Sequence, residues 1–370
     1  MLLNSGSVAH YLLQRGLMTY DSVVDGDLLI VEAPRRNRSF KIIRRRHPGL
    51  LVKQVQQWDA VAIASIEREA SVYSLAQTVP EFSALAEWVP GLLSYDSQNH
   101  LLVLESLPGY ESLAECHQRL GRCPVEIAET LAEALGRYHY ATKGKLDQIS
   151  QVSVFPKMAP WILSIHQHQP GWFQSLSAAN SQLLEIVKKY DQFATTLDHL
   201  RAQWEQNSLI HGDISWDNCL IQPTSGTGDK LKLRLIDWEL ADVGDELWDV
   251  GAVLQSYLSY WILSIPTWPG ATAEQVIARA SHSLEVVQAS ISAFWDRYKQ
   301  VAEIPAGKEK EWLRRSISYG AARMIQSVYE APNISMQMNP NALYLLQVSM
   351  NILLDPQTAT RELFGIKEAR

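Results

Sequence analysis

The chain has 370 residues, enough to bury a large hydrophobic core, and this length suggests two or three structural units. Its 46% hydrophobic and 20% charged residues are typical of a folded soluble protein, and its net charge of -7 argues against nucleic acid as the main partner. The three cysteines form no Cys-x-x-Cys pair, so neither a disulfide framework nor a zinc site is indicated, and a reducing compartment fits.

Neither the N-terminal segment nor the most apolar segment of the chain has the pattern of a secretion signal or a membrane span. Residues 1–16 lack the basic stretch and long apolar core of a signal peptide. The most apolar segment, residues 250–265, is shorter than the ~20 apolar residues of a membrane-spanning helix and contains several polar side chains. We therefore expect residues 250–265 to form a buried helix in a cytoplasmic protein with no membrane partner.

Residues 1–105 contain the pattern of a short helix followed by strands. The segment VAHYLLQRG favours a helix that Ser5 or Ser7 caps and Gly16 ends. Four short apolar or alternating segments bounded by turn residues predict antiparallel strands, namely DLLIVEA, SFKIIRR, GLLVKQV and NHLLVLESL. One helix, residues 62–77, is predicted between them, because its apolar positions recur at three- and four-residue steps.

Residues 106–370 are predicted to be mostly helical. One short apolar run, from LIHGD to CLIQ, precedes the turn-rich PTSGTGDK, and a second, KLRLIDWE, follows it. Together they predict a strand–loop–strand unit between the helices. The predicted fold class is therefore α+β, with a small antiparallel β lobe (residues 1–105), a hinge near residues 105–109 and a larger helical lobe (residues 106–370). A cleft between two such lobes is a common place for a ligand.

Three polar residues beside the predicted strand–loop–strand unit form a pattern suited to phosphate chemistry. HGDISWDN contains Asp213 and, five residues later, Asn218, and LIDWE contains Asp237 at the end of a strand. The predicted hairpin would bring the two segments side by side. Mg²⁺ prefers carboxylate, amide and water oxygens, and phosphoryl transfer depends on positioning and charge neutralisation. Asp213 and Asn218 alone could equally close a loop through side-chain to backbone bonds.

HGDISWDN, LIDWE and GDELWDVG, in this order and at this spacing, resemble the aminoglycoside phosphotransferase and choline kinase family, whose fold is protein-kinase-like. The resemblance implies ATP and Mg²⁺ as cofactors. It implies that Asp213 is the catalytic base or orients the acceptor hydroxyl, and that Asn218 and Asp237 are the Mg²⁺ ligands. Asp249 would tie the loop that contains Asp213 to the following helix.

The resemblance extends to the predicted β lobe. Lys53 in LLVKQV matches the strand lysine that holds the nucleotide phosphates, and Glu69 on the following helix matches its acidic partner, with Glu67 as the rival. LLVLESLPG resembles the hinge strand, so backbone groups of Glu105 and Leu107 would contact adenine.

The phosphate-covering turn departs from the glycine-rich pattern of related kinases. VEAPRRNRSFKI contains no glycine, although small residues in such turns let backbone amides approach phosphate. Asn37 and Ser39 match a looser Ser/Asn-rich version of this turn, and Arg35, Arg36 or Arg38 could contact phosphate directly.

The acceptor is the least determined part of the resemblance. The family's acceptors are small molecules with a hydroxyl, such as aminoglycosides, choline, sugars and amino-alcohols. A cationic acceptor needs an acidic or aromatic pocket, which Glu239, Asp242, Asp245, Glu246 and Trp248 could supply unless they are structural. A Ser/Thr peptide precursor is the alternative acceptor. A non-catalytic pseudokinase is a further alternative, which the glycine-free turn favours and the complete set of Lys53, Asp213, Asn218 and Asp237 opposes.

Overall fold

The computed structural model describes residues 2–34, 37–146, 149–167, 177–223, 231–267, 270–331 and 338–367. Its N-terminal part contains one five-stranded antiparallel sheet with the strand order β1-β2-β3-β5-β4. The strands are β1 (Leu28–Pro34), β2 (Arg38–Arg44), β3 (Leu50–Gln54), β4 (Leu92–Asp96) and β5 (Leu101–Glu105). The four predicted strands are confirmed, and β4 is an additional strand at the sheet edge.

Three helices accompany this sheet: α1 (Ser7–Gln14), α2 (Tyr20–Val24) and α3 (Ala60–Thr78). The predicted serine cap of α1 is wrong, because the Asn4 side chain accepts the amides of Gly6 and Ser7 at 3.0 and 2.9 Å. Gly16 follows the helix with φ +67°, as its predicted role as helix stop requires. Asp59 caps α3 by accepting two backbone amides of the first helical turn.

The rest of the described chain is mostly helical, and the α+β class predicted from the sequence is confirmed. The helices are α4 (Leu113–Leu120), α5 (Val125–Thr142), α6 (Ala178–Lys189), α7 (Asp191–Ala202), α8 (Leu247–Leu263), α9 (Ala273–Ile277), α10 (Leu284–Val301), α11 (Glu309–Glu330), α12 (Pro340–Leu354) and α13 (Pro356–Glu362). The short strands are β6 (Glu111–Ser112), β7 (Ser208–Ile210), β8 (Cys219–Gln222), β9 (Lys232–Leu235) and β10 (Asp242–Gly244). They pair as β6-β8-β9 and β7-β10, all antiparallel.

Helix α8 is the central helix of the large hydrophobic core. Most of its side chains are buried, which explains why residues 250–265 are the most apolar segment of the chain and confirms the predicted buried helix. None of the helices within the described ranges combines the length and apolar character that a bilayer crossing requires.

Two glycines let α8 and α11 pack with their backbones in contact. A Cβ atom added at Gly251 of α8 would lie 2.5 Å from the carbonyl oxygen of Ser316, and one added at Gly320 of α11 would lie 2.7 Å from the carbonyl oxygen of Gly251. Neither position therefore accommodates a larger residue without moving a helix. The contact presses α11 against the start of α8, next to the loop of residues 211–218.

Candidate active site

The loop of residues 211–218 follows β7, and a buried carboxylate anchors its first two residues. Asp249, near the start of α8, accepts the amide of His211 at 2.6 Å on Oδ2 and that of Gly212 at 3.0 Å on Oδ1. Gly212 has φ +79°, and a Cβ there would lie 2.3 Å from the carbonyl oxygen of Leu240, so this position requires glycine. The predicted tie between Asp249 and the loop is confirmed.

Asp249 is fully buried and remains a strong acceptor because several donors converge on it. The Tyr138 hydroxyl donates to Oδ2 at 2.9 Å, and His139 Nε2 lies 3.4 Å from the same oxygen. Burial alone would raise the pKa of Asp249, but the bonds from His139 and the His211 amide outweigh it and lower that pKa. His139 also contacts the Tyr298 hydroxyl, so it is a structural residue.

Asp213 and Asn218, five residues apart in the loop, lie in direct contact. The Asn218 side-chain nitrogen donates to the carbonyl oxygen of Asp213 at 2.9 Å and to its carboxylate Oδ2 at 3.3 Å. This leaves the Asn218 Oδ1 as an acceptor for another group. The Asp213 side chain keeps 36% of its surface exposed, and its Oδ1 accepts a bond of 3.0 Å from Arg323 Nη2. Arg323, on α11, was not identified from the sequence.

The hairpin of β8 and β9 places Asp237 beside this loop, as the sequence predicts. Cys219 pairs with Leu235, and the amide of Ile236 donates to the Asn218 carbonyl oxygen at 3.0 Å. Asp237 itself adopts a left-handed conformation, with φ 68° and ψ 55°, which is unfavourable for a non-glycine residue and concentrates at functional sites. The predicted turn, residues 223–230, lies almost entirely outside the described residues.

Lys53, on β3, connects the sheet to helix α3 and to the segment that contains Asp237. Its Nζ donates to Glu69 Oε1 at 2.7 Å and to Asp237 Oδ1 at 2.9 Å. Glu69 is therefore the ion-pair partner of Lys53, and Glu67 is not. Burial opposes the charge on Lys53, but the two carboxylates reverse this effect and raise its pKa.

Glu69 lies at the back of the site and has no exposed surface. The Tyr73 hydroxyl donates to its Oε1 at 3.0 Å, next to the bond from Lys53. Burial raises the pKa of Glu69, and Lys53 acts in the opposite direction. The charge of the buried Glu69 carboxylate is thus stabilised mainly by Lys53.

A cavity of about 410 Å³ lies between the sheet and the β8–β9 hairpin. Six of the nine predicted site residues line it: Asn37, Ser39, Lys53, Glu105, Leu107 and Asp237. Its apolar walls come from both sides, and they include Leu51, Leu104, Leu220 and Ile236. The backbone amide of Leu107 has no acceptor among the described residues and so can donate to a ligand. The volume suits a small organic ligand.

Most of the chain is similar to one known protein family. The model of the phosphotransferase enzyme family matches residues 35–288. The chain belongs to this family. No curated protein sequence matches it.

Three solved structures share the protein-kinase-like fold of this phosphotransferase family member. An aminoglycoside 2′-phosphotransferase-IIIa variant in complex with GDP has a TM-score of 0.53 and 10% identity, over 97% of this chain and 99% of that chain. Amicoumacin kinase in complex with AMP-PNP, Ca²⁺ and amicoumacin has a TM-score of 0.51 and 13% identity, over 93% and 96%. Glucosamine kinase with glucosamine, ADP and inorganic phosphate has a TM-score of 0.51 and 16% identity, over 95% and 84%.

Arg38, which the sequence suggests as a direct phosphate contact, does not line the cavity of this family member. Arg38 donates to the carbonyl oxygen of Leu3 at 2.5 Å and lies 3.6 Å from the Glu32 carboxylate, so its charge is satisfied beside α1. Arg35 and Arg36 lie outside the described residues.

The acidic segment of residues 239–248 is mostly structural in this family member, which is the alternative to an acceptor pocket that the sequence left open. Asp242 accepts the amides of Lys157 and Met158 at 2.7 and 3.0 Å. The other two pair with residues of the helical core, Asp245 with Arg315 and Tyr319, and Glu246 with Lys143. Trp248 is also buried, and of the predicted set only Glu239 lines the cavity.

A buried aromatic cluster supports the loop from the side of Trp216. The His117 ring lies 4.3 Å from the Trp216 ring and 5.9 Å from the Tyr257 ring, measured between centroids. His117 has no exposed surface, and neither ring nitrogen has a hydrogen-bond partner among the described residues. Burial lowers the pKa of His117 from 6.5 to about 4.

This neutral histidine is expected to make the family member less stable in mild acid. Above pH 6.5 both folded and unfolded chains carry neutral His117, whereas below it only the unfolded chain takes up a proton until the pH approaches 4. His117 should therefore lower the free energy of unfolding by about 2 kcal/mol between about pH 7.5 and about pH 5. Urea unfolding at both pH values should show this loss in the wild type but not in His117→Phe. The control His10→Phe, at an exposed site, should retain it. Equal pH dependence in His117→Phe and wild type would contradict the assignment.

Proposed function

We propose that the protein is an ATP- and Mg²⁺-dependent phosphotransferase that transfers the γ-phosphate to a hydroxyl group of a small molecule. The observation that carries the proposal is the convergence of Lys53, Asp213, Asn218 and Asp237 beside one cavity, from segments far apart in sequence. Phosphoryl transfer depends on such positioning and on charge neutralisation.

The cavity provides a place for the nucleotide. The base would lie between the apolar walls, with the amide of Leu107 and the backbone of Glu105 at its polar edge. Asn37, just before β2, and Ser39 of β2 would cover the phosphates, and Lys53 would hold them. The solved structures with GDP, AMP-PNP and ADP belong to proteins of the same fold and support nucleotide binding by this chain.

The oxygen donors beside the cavity fit Mg²⁺. The Asn218 side chain has its nitrogen bound to Asp213, so its Oδ1 is left for an ion, and the Asp237 carboxylate lies across the hairpin. Mg²⁺ held by two protein oxygens would take its other ligands from phosphate and water. When bound, Mg²⁺ would neutralise charge on the phosphates.

Asp213 would act on the acceptor. Its Oδ2 is the oxygen left for the acceptor, and it would accept the proton of the acceptor hydroxyl. The hydroxyl oxygen would form a bond to the γ-phosphorus as the bond from that phosphorus to the β–γ bridging oxygen breaks and ADP leaves. The small-molecule acceptor is favoured over a peptide, because the solved relatives with bound acceptors contain amicoumacin and glucosamine. The complete set of polar residues speaks against a pseudokinase.

The proposal is tested by measuring ADP release from ATP and Mg²⁺ with a panel of amino-alcohols, sugars, aminoglycosides and Ser/Thr peptides. Turnover with one small-molecule class and a phosphorylated product of the expected mass would support the proposal. Turnover with peptides alone would favour the alternative acceptor. Nucleotide binding without turnover on any acceptor would favour a pseudokinase, and no nucleotide binding would contradict the assignment of the cavity.

A further inference from the structure

Arg323 holds three consecutive residues of the 211–218 loop with one guanidinium group. Nη1 donates to the carbonyl oxygen of Gly212 at 3.2 Å, and Nη2 donates to Asp213 Oδ1 at 3.0 Å and to the carbonyl oxygen of Ile214 at 3.3 Å. A planar group with five fixed donors is suited to such a grip, which the single ammonium group of lysine cannot reproduce.

The guanidinium is itself held in place. Only 7% of the Arg323 side chain is exposed, and its Cζ lies 5.5 Å from the centre of the Trp248 ring. The Trp248 indole N–H donates to the carbonyl oxygen of Gly212 at 3.1 Å, so the ring and the guanidinium bind the same loop atom. The Gly251–Gly320 contact brings α11 close enough to α8 for this arrangement.

The two carboxylate oxygens of Asp213 have different environments as a result. Oδ1 is bound by Arg323, and Oδ2 has only the 3.3 Å contact with the Asn218 amide among the described residues. A carboxylate held at one oxygen and along its backbone cannot rotate freely, so the remaining oxygen keeps one direction.

We infer that Arg323 is a positioning residue for phosphoryl transfer, which fixes Oδ1 of Asp213 so that Oδ2 faces the acceptor hydroxyl. This inference rests on the proposed function and adds a residue from outside the matched range, residues 35–288, to the site. It separates turnover from nucleotide binding, because Arg323 contacts the loop and does not line the nucleotide cavity.

The test compares Arg323→Met and Arg323→Lys with Arg315→Met. Arg315 is a matched control, because it lies on the same helix, is 8% exposed and pairs with Glu205 and Asp245 rather than with the loop. Arg323→Met should lower kcat about 100-fold with KM for ATP changed less than about threefold. The kcat of Arg323→Lys should be about tenfold higher than that of Arg323→Met, because lysine restores the charge but cannot make all three hydrogen bonds to the loop. Arg315→Met should keep kcat within about threefold of the wild type while lowering thermal stability.

A double-mutant cycle separates positioning of Asp213 from a general structural role. In the Asp213→Asn background, Arg323→Met should change the residual kcat by less than about threefold, since the carboxylate to be positioned is gone. An additive loss would overturn the inference, as would a wild-type kcat in folded Arg323→Met. If Arg323→Met does not fold, wild-type kcat in Arg323→Lys would overturn it instead.

The outcome for the inference is distinct from the outcome for the proposed function. An active wild type with unaffected Arg323 variants contradicts the inference alone. A wild type without turnover on any acceptor contradicts the proposed function and, with it, a positioning role of Arg323 in phosphoryl transfer.

Discussion

Asp213→Asn is expected to lower kcat by about 10²–10⁴-fold while leaving ATP affinity nearly unchanged. The amide cannot accept the hydroxyl proton, but Asp213 does not line the cavity proposed for the nucleotide, so the binding of ATP should persist. The Asn218 and Arg323 contacts place both carboxylate oxygens in defined positions, so the substitution changes the chemistry more than the packing. Initial rates of ADP release and calorimetric ATP binding would measure the two effects separately.

The matched control for this variant is Asp217→Asn, four residues later in the same loop. Asp217 is exposed and has no role in the proposed chemistry, so the same change there should leave kcat within about twofold. Equal losses in both variants would show that the loop tolerates no substitution and would remove the support for Asp213 as the catalytic residue.

Lys53→Met is expected to abolish measurable ATP binding and to destabilise the fold by about 3–5 kcal/mol near neutral pH, because it leaves Glu69 buried without its cation. Burial already raises the pKa of Glu69, and removal of Lys53 removes the opposing effect. The folded variant would then bind a proton at Glu69 more readily than the unfolded chain. Its stability deficit should therefore be smallest near about pH 4.5 and grow as the pH rises.

The double variant Lys53→Met with Glu69→Gln tests this explanation. A neutral amide does not carry the cost of a buried unpaired carboxylate, so the double variant should regain part of the lost stability without regaining ATP binding. Unfolding midpoints at about pH 5 and about pH 8 would measure the recovery. A deficit that is independent of pH, with no recovery in the double variant, would contradict a buried charge at Glu69 as its cause.

The chemistry-bearing loops were predictable from the sequence because their residues are close together in the chain. HGDISWDN and LIDWE each carry their polar groups within a few residues, and the short hairpin between them allows little freedom in how they meet. The resemblance supplied Lys53 and Glu69, and the structure shows them as an ion pair. The assignments of ATP, Mg²⁺ and the acceptor remain predictions, as does the lobe boundary near residue 105.

The sequence did not reveal in which direction each charged side chain points. Asp242, Asp245 and Glu246 look like a pocket when only their charge is considered, but each is bound inside the fold. Arg323, in contrast, does not look like a site residue in the sequence. It lies in an amphipathic helix with other arginines, 110 residues after the aspartate that it contacts. Periodicity identifies α11 as a helix but does not say which of its charges meets a loop from elsewhere in the chain.

Strand β4 and the cap of α1 were missed for a local reason. LLSYD, the segment of β4, is short and only partly buried, so its pattern is weak, and its pairing with β5 is visible only in three dimensions. At the start of α1, three polar residues compete for the same amides, and Asn4 is the one whose side chain reaches them.

The glycine contact between α8 and α11 has a consequence for how this scaffold can change during evolution. The family match ends at residue 288, yet α11 is joined backbone to backbone to α8 at Gly251 and Gly320 and reaches the loop through Arg323. Helix α11 is thus not an exchangeable module, because replacing it would break both the backbone contact and the bonds from Arg323. Changes in α11 are instead confined to individual side chains, while the helix axis stays in place against α8.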